Sequence, residues 1–204
     1  MRLRRRHPEA YTIVDILMAL TLLGLLVAIA WPRISMGFSV VRVRMAAGEV
    51  AGAMAEARIH AIRHQTKVAL RFERLKDDTV TMTEYRDRDR DGVLSRDIER
   101  GVDTLEKASR RLSAFDGRVH FGFLYGEAPT EIGNPNRRIQ RLMDPIRFGR
   151  SDMVSFNPAG TATPGSVYIT DGYASLVAVR VDAMSGMISI WTYDKETELW
   201  RVGG

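Results

Sequence analysis

From Tyr11 to Trp31 the chain is almost continuously apolar, and Asp15 is the single charge within that run. Between Ile16 and Trp31 only Thr21 and Gly24 interrupt the aliphatic and aromatic residues. A run of about 20 apolar residues is long enough to cross a bilayer as a helix. Pro32 follows, and a proline there kinks or briefly interrupts a helix rather than ending it. Apolar residues then return every three or four positions, at Val40, Val43, Ala47, Val50, Met54, Ala57 and Ala61. Arg42, Arg44, Glu49, Glu56, Arg58, Arg63 and His64 fall largely elsewhere. That period predicts an amphipathic helix continuing to about Gln65.

After Gln65 the pattern changes to a period of two. "TKVALRFE" (66–73) and "DTVTMTEY" (78–85) read as strands around the turn "RLKD". Further strands are expected at 117–124, 152–158, 165–170, 173–181, 186–193 and 198–202. Turn residues separate them at Gly117, Asn157–Gly160, Pro164–Gly165, Asp171–Gly172 and Ser185–Gly186. The stretch 126–147 lacks alternation, holds three of the seven prolines, and is expected to be an excursion from the strand framework. The expected fold class is α+β. A long N-terminal transmembrane helix packs on a C-terminal antiparallel β-sandwich, or partly open barrel, of about eight strands. The domain plan is 1–10, a transmembrane helix over 11–32, its amphipathic continuation over 33–65, and a β domain over 66–204.

Composition changes this picture little. There is no cysteine, so disulfides, thiol catalysis and cysteine metal sites are excluded. The net charge of +5 suggests an acidic partner until it is located along the chain. Arg2, Arg4, Arg5 and Arg6 stand against Glu9 in the first ten residues, so most of the excess belongs to that segment. Arginines before an apolar run hold its end in the cytoplasm.

A secretory signal would end in a small-residue cleavage site, but the apolar run here leads into "WPRIS". A plain membrane anchor leaves Asp15 unexplained, since a carboxylate at the bilayer centre costs roughly 2.5–3.5 kcal/mol. The segment "EAYTIVDILMALTLLGLLVAIAWP" resembles instead the class III signal of type IV pilins and type II secretion pseudopilins. The resemblance implies that a prepilin peptidase cuts between Ala10 and Tyr11, removes the leader 1–10, and N-methylates Tyr11. Asp15 is then the acid five residues into the mature chain. There it neutralises the amine of a neighbouring subunit and sets axial register; an acid solvated at the membrane edge is the alternative. Ala10, Tyr11 and Asp15 replace the family's usual Gly, Phe and Glu.

The later sequence is similar to minor pilins of the GspH-like and FimT-like group. Ala57, Arg58 and Ala61 supply that group's "AR..A" signature ahead of the first strand. Phe156, Pro158, Gly160, Ala162, Gly165 and Tyr168 supply its "F.P.G.A..G..Y" stretch. The resemblance implies a structural subunit of a type II secretion pseudopilus or type IV pilus, not an enzyme. Its partners would be other pilins or pseudopilins, and it would make a single pass of the bacterial inner membrane with a periplasmic C-terminal domain. The alternative is a FimT-like minor pilin that binds DNA for natural transformation.

Two local patterns remain. In "DRDRDGVLSRD", Asp87, Asp89, Asp91 and Gly92 match the first half of an EF-hand loop, with the Val93 carbonyl at position seven and Leu94 as the apolar anchor after it. Position twelve is Ile98, so Asp97, Glu99 or water would have to complete a Ca²⁺ shell. The bland alternative is a solvated hairpin tip whose Arg86, Arg88 and Arg90 offset the acids. Arg137, Arg138, Arg141, Arg147 and Arg150 cluster in and just after the excursion, where a basic loop could hold phosphates. Glu127, Glu131 and Asp144 could equally pair with them. His60 and His64 share a helix face, but no H-E-x-x-H, nucleophile elbow or phosphate loop is present. Trp191, Tyr193 and Trp200 read as core or edge aromatics rather than a stacking platform.

Overall fold

A computed structural model describes residues 12–75, 79–112 and 118–203, with the side chains of 30–38 outside the description. The chain divides into two compact units, 1–38 and 39–204.

Helix α1 spans Ile13–His64. It stops where the periodicity stops, because Gln65 takes a left-handed φ of 52° and its side-chain amide donates to the Ile62 carbonyl at 2.7 Å. The expected single inner-membrane pass over 11–32 is corrected: among the described residues no helix is long and apolar enough to cross a membrane. The charge-free stretch from Ile16 to Pro32 is bounded by Asp15 and Arg33. At 1.5 Å per residue it rises about 26 Å, short of the roughly 30 Å hydrocarbon core.

The α+β expectation is corrected with it. Among the described residues the protein is mostly β, with twelve strands in three sheets rather than about eight in one sandwich or barrel. The first sheet has the order β3-β2-β1-β8, built from β1 (Val68–Arg74), β2 (Val80–Arg86), β3 (Thr104–Arg111) and β8 (Met153–Phe156). The second has the order β12-β11-β10-β9-β4, built from β4 (His120–Phe121), β9 (Gly165–Thr170), β10 (Leu176–Val181), β11 (Ile188–Asp194) and β12 (Leu199–Gly203). β7 (Ile146–Arg147) also pairs with β9. The third sheet is a two-stranded ribbon of β5 (Thr130–Glu131) and β6 (Asn134–Arg138).

The main core joins one face of α1 to both larger sheets. Val43, Ala46, Ala47, Val50, Met54, Ala57 and Ala61 are fully buried there. They meet Val68, Leu70 and Phe72 of β1, Val154 and Phe156 of β8, and Val167 and Ile169 of β9. Alanines on the helix face let it lie close to the sheets, and the larger sheet residues supply the volume. Phe72 and Phe148 stack at 6.0 Å with their planes 10° apart.

The outer faces are covered as well. Residues 126–147 are not the plain loop the sequence suggested. They form the ribbon and β7, and Ile139 packs with Phe123, Tyr168, Leu176, Ala178 and Tyr193 on the outer face of the second sheet. The Trp200 indole N–H donates to the Thr130 carbonyl at 2.7 Å, tying this layer to β12. On the first sheet, Val93 packs with Ala69 and Met153 and touches Ile98 and Tyr85. Val93 therefore anchors the acidic loop; Leu94, the expected anchor, is only half-buried.

Candidate functional site

The acidic loop leaves β2 after Arg86 and returns to β3 at Thr104, carrying the short helix α2 (Ser95–Glu99) on the way. Asp87 is buried and organises the turn: one carboxylate oxygen accepts the Arg90 N–H at 2.7 Å and the other the Gly92 N–H at 3.0 Å. The chain can turn this sharply because Gly92 sits at φ 108°, a conformation that side chains rarely adopt. A Cβ at Gly92 would also stand 3.3 Å from the Lys67 ammonium.

Asp87, Asp89 and Asp91 each offer a carboxylate oxygen such that all three lie within 4.8 Å of one another. Asp91 is pushed up from its ordinary value, first because the Asp89 carboxyl stands against it, with burial adding to the effect. Asp89 is held down by the same contact.

Asp97 points elsewhere. Its carboxylate accepts from Arg96 Nε at 3.2 Å, and the same guanidinium reaches Asp91 at 3.1 Å. Its backbone carbonyl accepts the N–H groups of Val102 and Asp103 at 2.8 and 3.2 Å, closing α2. Asp103, which no loop pattern singles out, is 4 % exposed. One of its oxygens accepts the Leu94 N–H at 3.1 Å, and Oδ1 is buried with no hydrogen-bond partner among the described residues. Burial raises its carboxyl, opposed by the Leu94 and Arg88 backbone N–H groups and reinforced by the charges of Asp87 and Asp89.

No protein-family model matches this chain, and no curated protein or solved structure matches it. The sites therefore rest on their own geometry.

At the N-terminus, Ala10 and Tyr11 lie outside the described residues. Asp15 is described, and it caps its own helix. Its carboxylate accepts the Thr12 N–H at 2.9 Å and the Thr12 hydroxyl at 2.7 Å, while the Asp15 N–H donates back to that hydroxyl at 3.3 Å. This is a capping box with aspartate in the fourth place, a T-x-x-D signal present in the sequence and hidden there by the apolar run. The Thr12 backbone N–H and hydroxyl hold the Asp15 carboxyl below the usual carboxylate range.

The loop arginines are largely engaged. Arg137 faces Glu131 at 3.3 Å, and Arg138 grips Glu198 through two bonds of 2.8 and 2.9 Å. Arg147 donates to the Asp144 and Arg141 carbonyls at 3.0 Å each and lies over the Phe123 ring. Arg141 is exposed at a left-handed φ of 58°, in the turn that leads toward β7.

One buried acid escaped the sequence reading. Glu84 is 1 % exposed and meets His60 Nδ1 at 2.5 Å, while His64 Nε2 meets Glu106 at 3.2 Å. The signal was the strand period itself. Val80, Met82 and Glu84 alternate onto one face of β2, which is the face that meets α1.

Proposed function

We propose that this chain is a structural subunit of a pilin-like filament, a minor pilin or pseudopilin that works by packing rather than by catalysis. The observation that carries the reading is the bare apolar surface on the first part of α1. Ile13, Leu17, Leu20, Leu22, Leu25 and Ile29 are each more than half exposed, and so are the other large apolar residues between them. A contiguous apolar surface of that size marks an interaction site. Helices of other subunits, offering the same kind of surface, are the occupant that the class III signal resemblance suggests.

The same resemblance supports processing by a prepilin peptidase between Ala10 and Tyr11, with a methylated Tyr11 amine as the partner of a neighbour's Asp15. The loop arginines give the DNA-binding alternative no added support, since Arg137 and Arg138 already face carboxylates. Mass spectrometry of the protein from its native host tests the proposal. A mature chain beginning at N-methyl-Tyr11 is the expected result. A chain beginning at Met1, or cut after residue 31, overturns it.

A further inference from the structure

Between β4, the turn that follows it and the residues just ahead of β7 lies a cleft of about 520 Å³, within the size range of small-molecule sites. We propose that this cleft binds a small aromatic carboxylate, its ring against Tyr125 and Tyr173 and its anionic group on Arg74. The proposal does not depend on assembly into a filament.

The first observation is a pair of fixed but bare rings. Tyr125 lines the cleft, and its N–H donates to the Gly172 carbonyl at 2.8 Å. Its ring lies so close to that glycine that a β-carbon there would stand 2.2 Å away. Tyr173 meets Tyr125 edge to face at 5.0 Å, and His120 stacks on Tyr125 at 6.2 Å. Tyr125 and Tyr173 are nevertheless 61 % and 75 % exposed. Rings held by backbone and by one another lose little conformational freedom when a ligand covers them. Met143 and Leu142, also exposed, add apolar surface to the same cleft.

The second observation is polar. Arg74, the last residue of β1, is the one residue of permanent charge lining the cleft, and no carboxylate lines it. Among the described residues, neither the Arg74 guanidinium nor the His120 ring nitrogens make a hydrogen bond or ion pair. Burial pushes the Asp152 carboxyl up and the charge of Arg74 opposes that, but the two form no ion pair. Burial also holds the His120 imidazole below its ordinary range, against the pull of Asp171. Uncharged, that imidazole offers one donor and one acceptor. A carboxylate matches the planar fork of a guanidinium, and an aromatic ring matches the tyrosine faces. An aromatic amine would share the rings but face Arg74 with like charge.

The test is ligand-observed NMR on the full-length protein with 3-phenylpropionate, phenethylamine and acetate as probes. 3-Phenylpropionate should bind saturably with a Kd of about 1 mM or below, and the other two at least about tenfold more weakly. Arg74→Gln should weaken 3-phenylpropionate about tenfold and leave phenethylamine no weaker. Tyr173→Ser, at an exposed position, should fold normally and weaken 3-phenylpropionate as well. Adhesion to the bare apolar surface of α1 would survive both substitutions. Absence of saturable binding, equal affinity for the carboxylate and the amine, or affinity unchanged in both variants overturns the site. Affinity unchanged in only one variant overturns the role given to the residue that it replaces.

Discussion

At Gly165 a β-carbon would stand 2.2 Å from the Arg147 carbonyl oxygen and 2.4 Å from the Phe148 ring. The cause is pairing: β7 runs against the start of β9, placing Arg147 opposite Ser166. Neither neighbour can yield easily, because one is backbone and the other is a fully buried ring. Gly165→Ala should therefore destabilise the fold by about 1–3 kcal/mol, the usual range for overpacking, or more. Chemical denaturation against wild type measures it, and an unchanged midpoint would show that β7 can shift away. Arg58 shows the same economy at another residue of the two quoted motifs. Its guanidinium donates to the Ser185 carbonyl at 2.9 Å, fixing the β10–β11 turn against the helix, while Ala57 and Ala61 on either side are fully buried. Both motif positions were visible in the sequence, but the reason for each lies in a segment far along the chain.

Among the elements, β3 is the one that periodicity could least reveal. "TLEKASRR" has no alternating apolar face, because an edge strand over this part of the core buries almost nothing. It is held instead by the β2 ladder and by charge. Lys107 and Arg110 both reach Glu56 on α1, Arg110 at 2.8 Å. The Lys107 ammonium, helped by Arg110, holds the Glu56 carboxyl below its ordinary range against a smaller opposing effect of burial. A depressed acid contributes stability above its unfolded pKa and loses it as pH falls through the folded value. Glu56→Gln should thus lower stability by about 0.2–1 kcal/mol at neutral pH. The gap to wild type should close in acid, below the usual carboxylate range. Paired melts at neutral and acid pH check this, and a gap that persists in acid would mean that packing rather than charge is lost.

For the whole molecule the decisive feature is an uneven distribution of apolar surface. Within 39–204 the helix face and the inner sheet faces are sealed, and the 126–147 ribbon and the 87–103 loop cover the outer faces. Within 12–29 the apolar side chains are open. If Asp15 sets register between subunits by its charge, Asp15→Asn should fold normally, since asparagine can still accept the Thr12 N–H that caps the helix. It should nevertheless enter filaments poorly, whereas Asp15→Glu should be tolerated. Quantifying each variant in sheared filaments decides the matter. Normal incorporation of the asparagine variant would leave Asp15 as a helix cap and nothing more.

The sequence by itself determined the elements whose burial is strongly periodic. α1 was legible to within a residue of its end, β8 and β12 fall within or against the strands expected at 152–158 and 198–202, and β1, β2, β9, β10 and β11 were legible because each turns a row of apolar residues to one interior. It also placed Asp87, Asp89 and Asp91 in one turn, since their contact is local. Tertiary structure decided the rest. The ribbon over 130–138 exists because its backbone pairs and Ile139 finds a pocket, while all five β6 residues stay exposed and leave no pattern. Glu84 meets His60, and Glu56 meets Lys107 and Arg110, only once β2, β3 and α1 are side by side. Contacts between residues distant in sequence carry no period, so no window along the chain could have shown them.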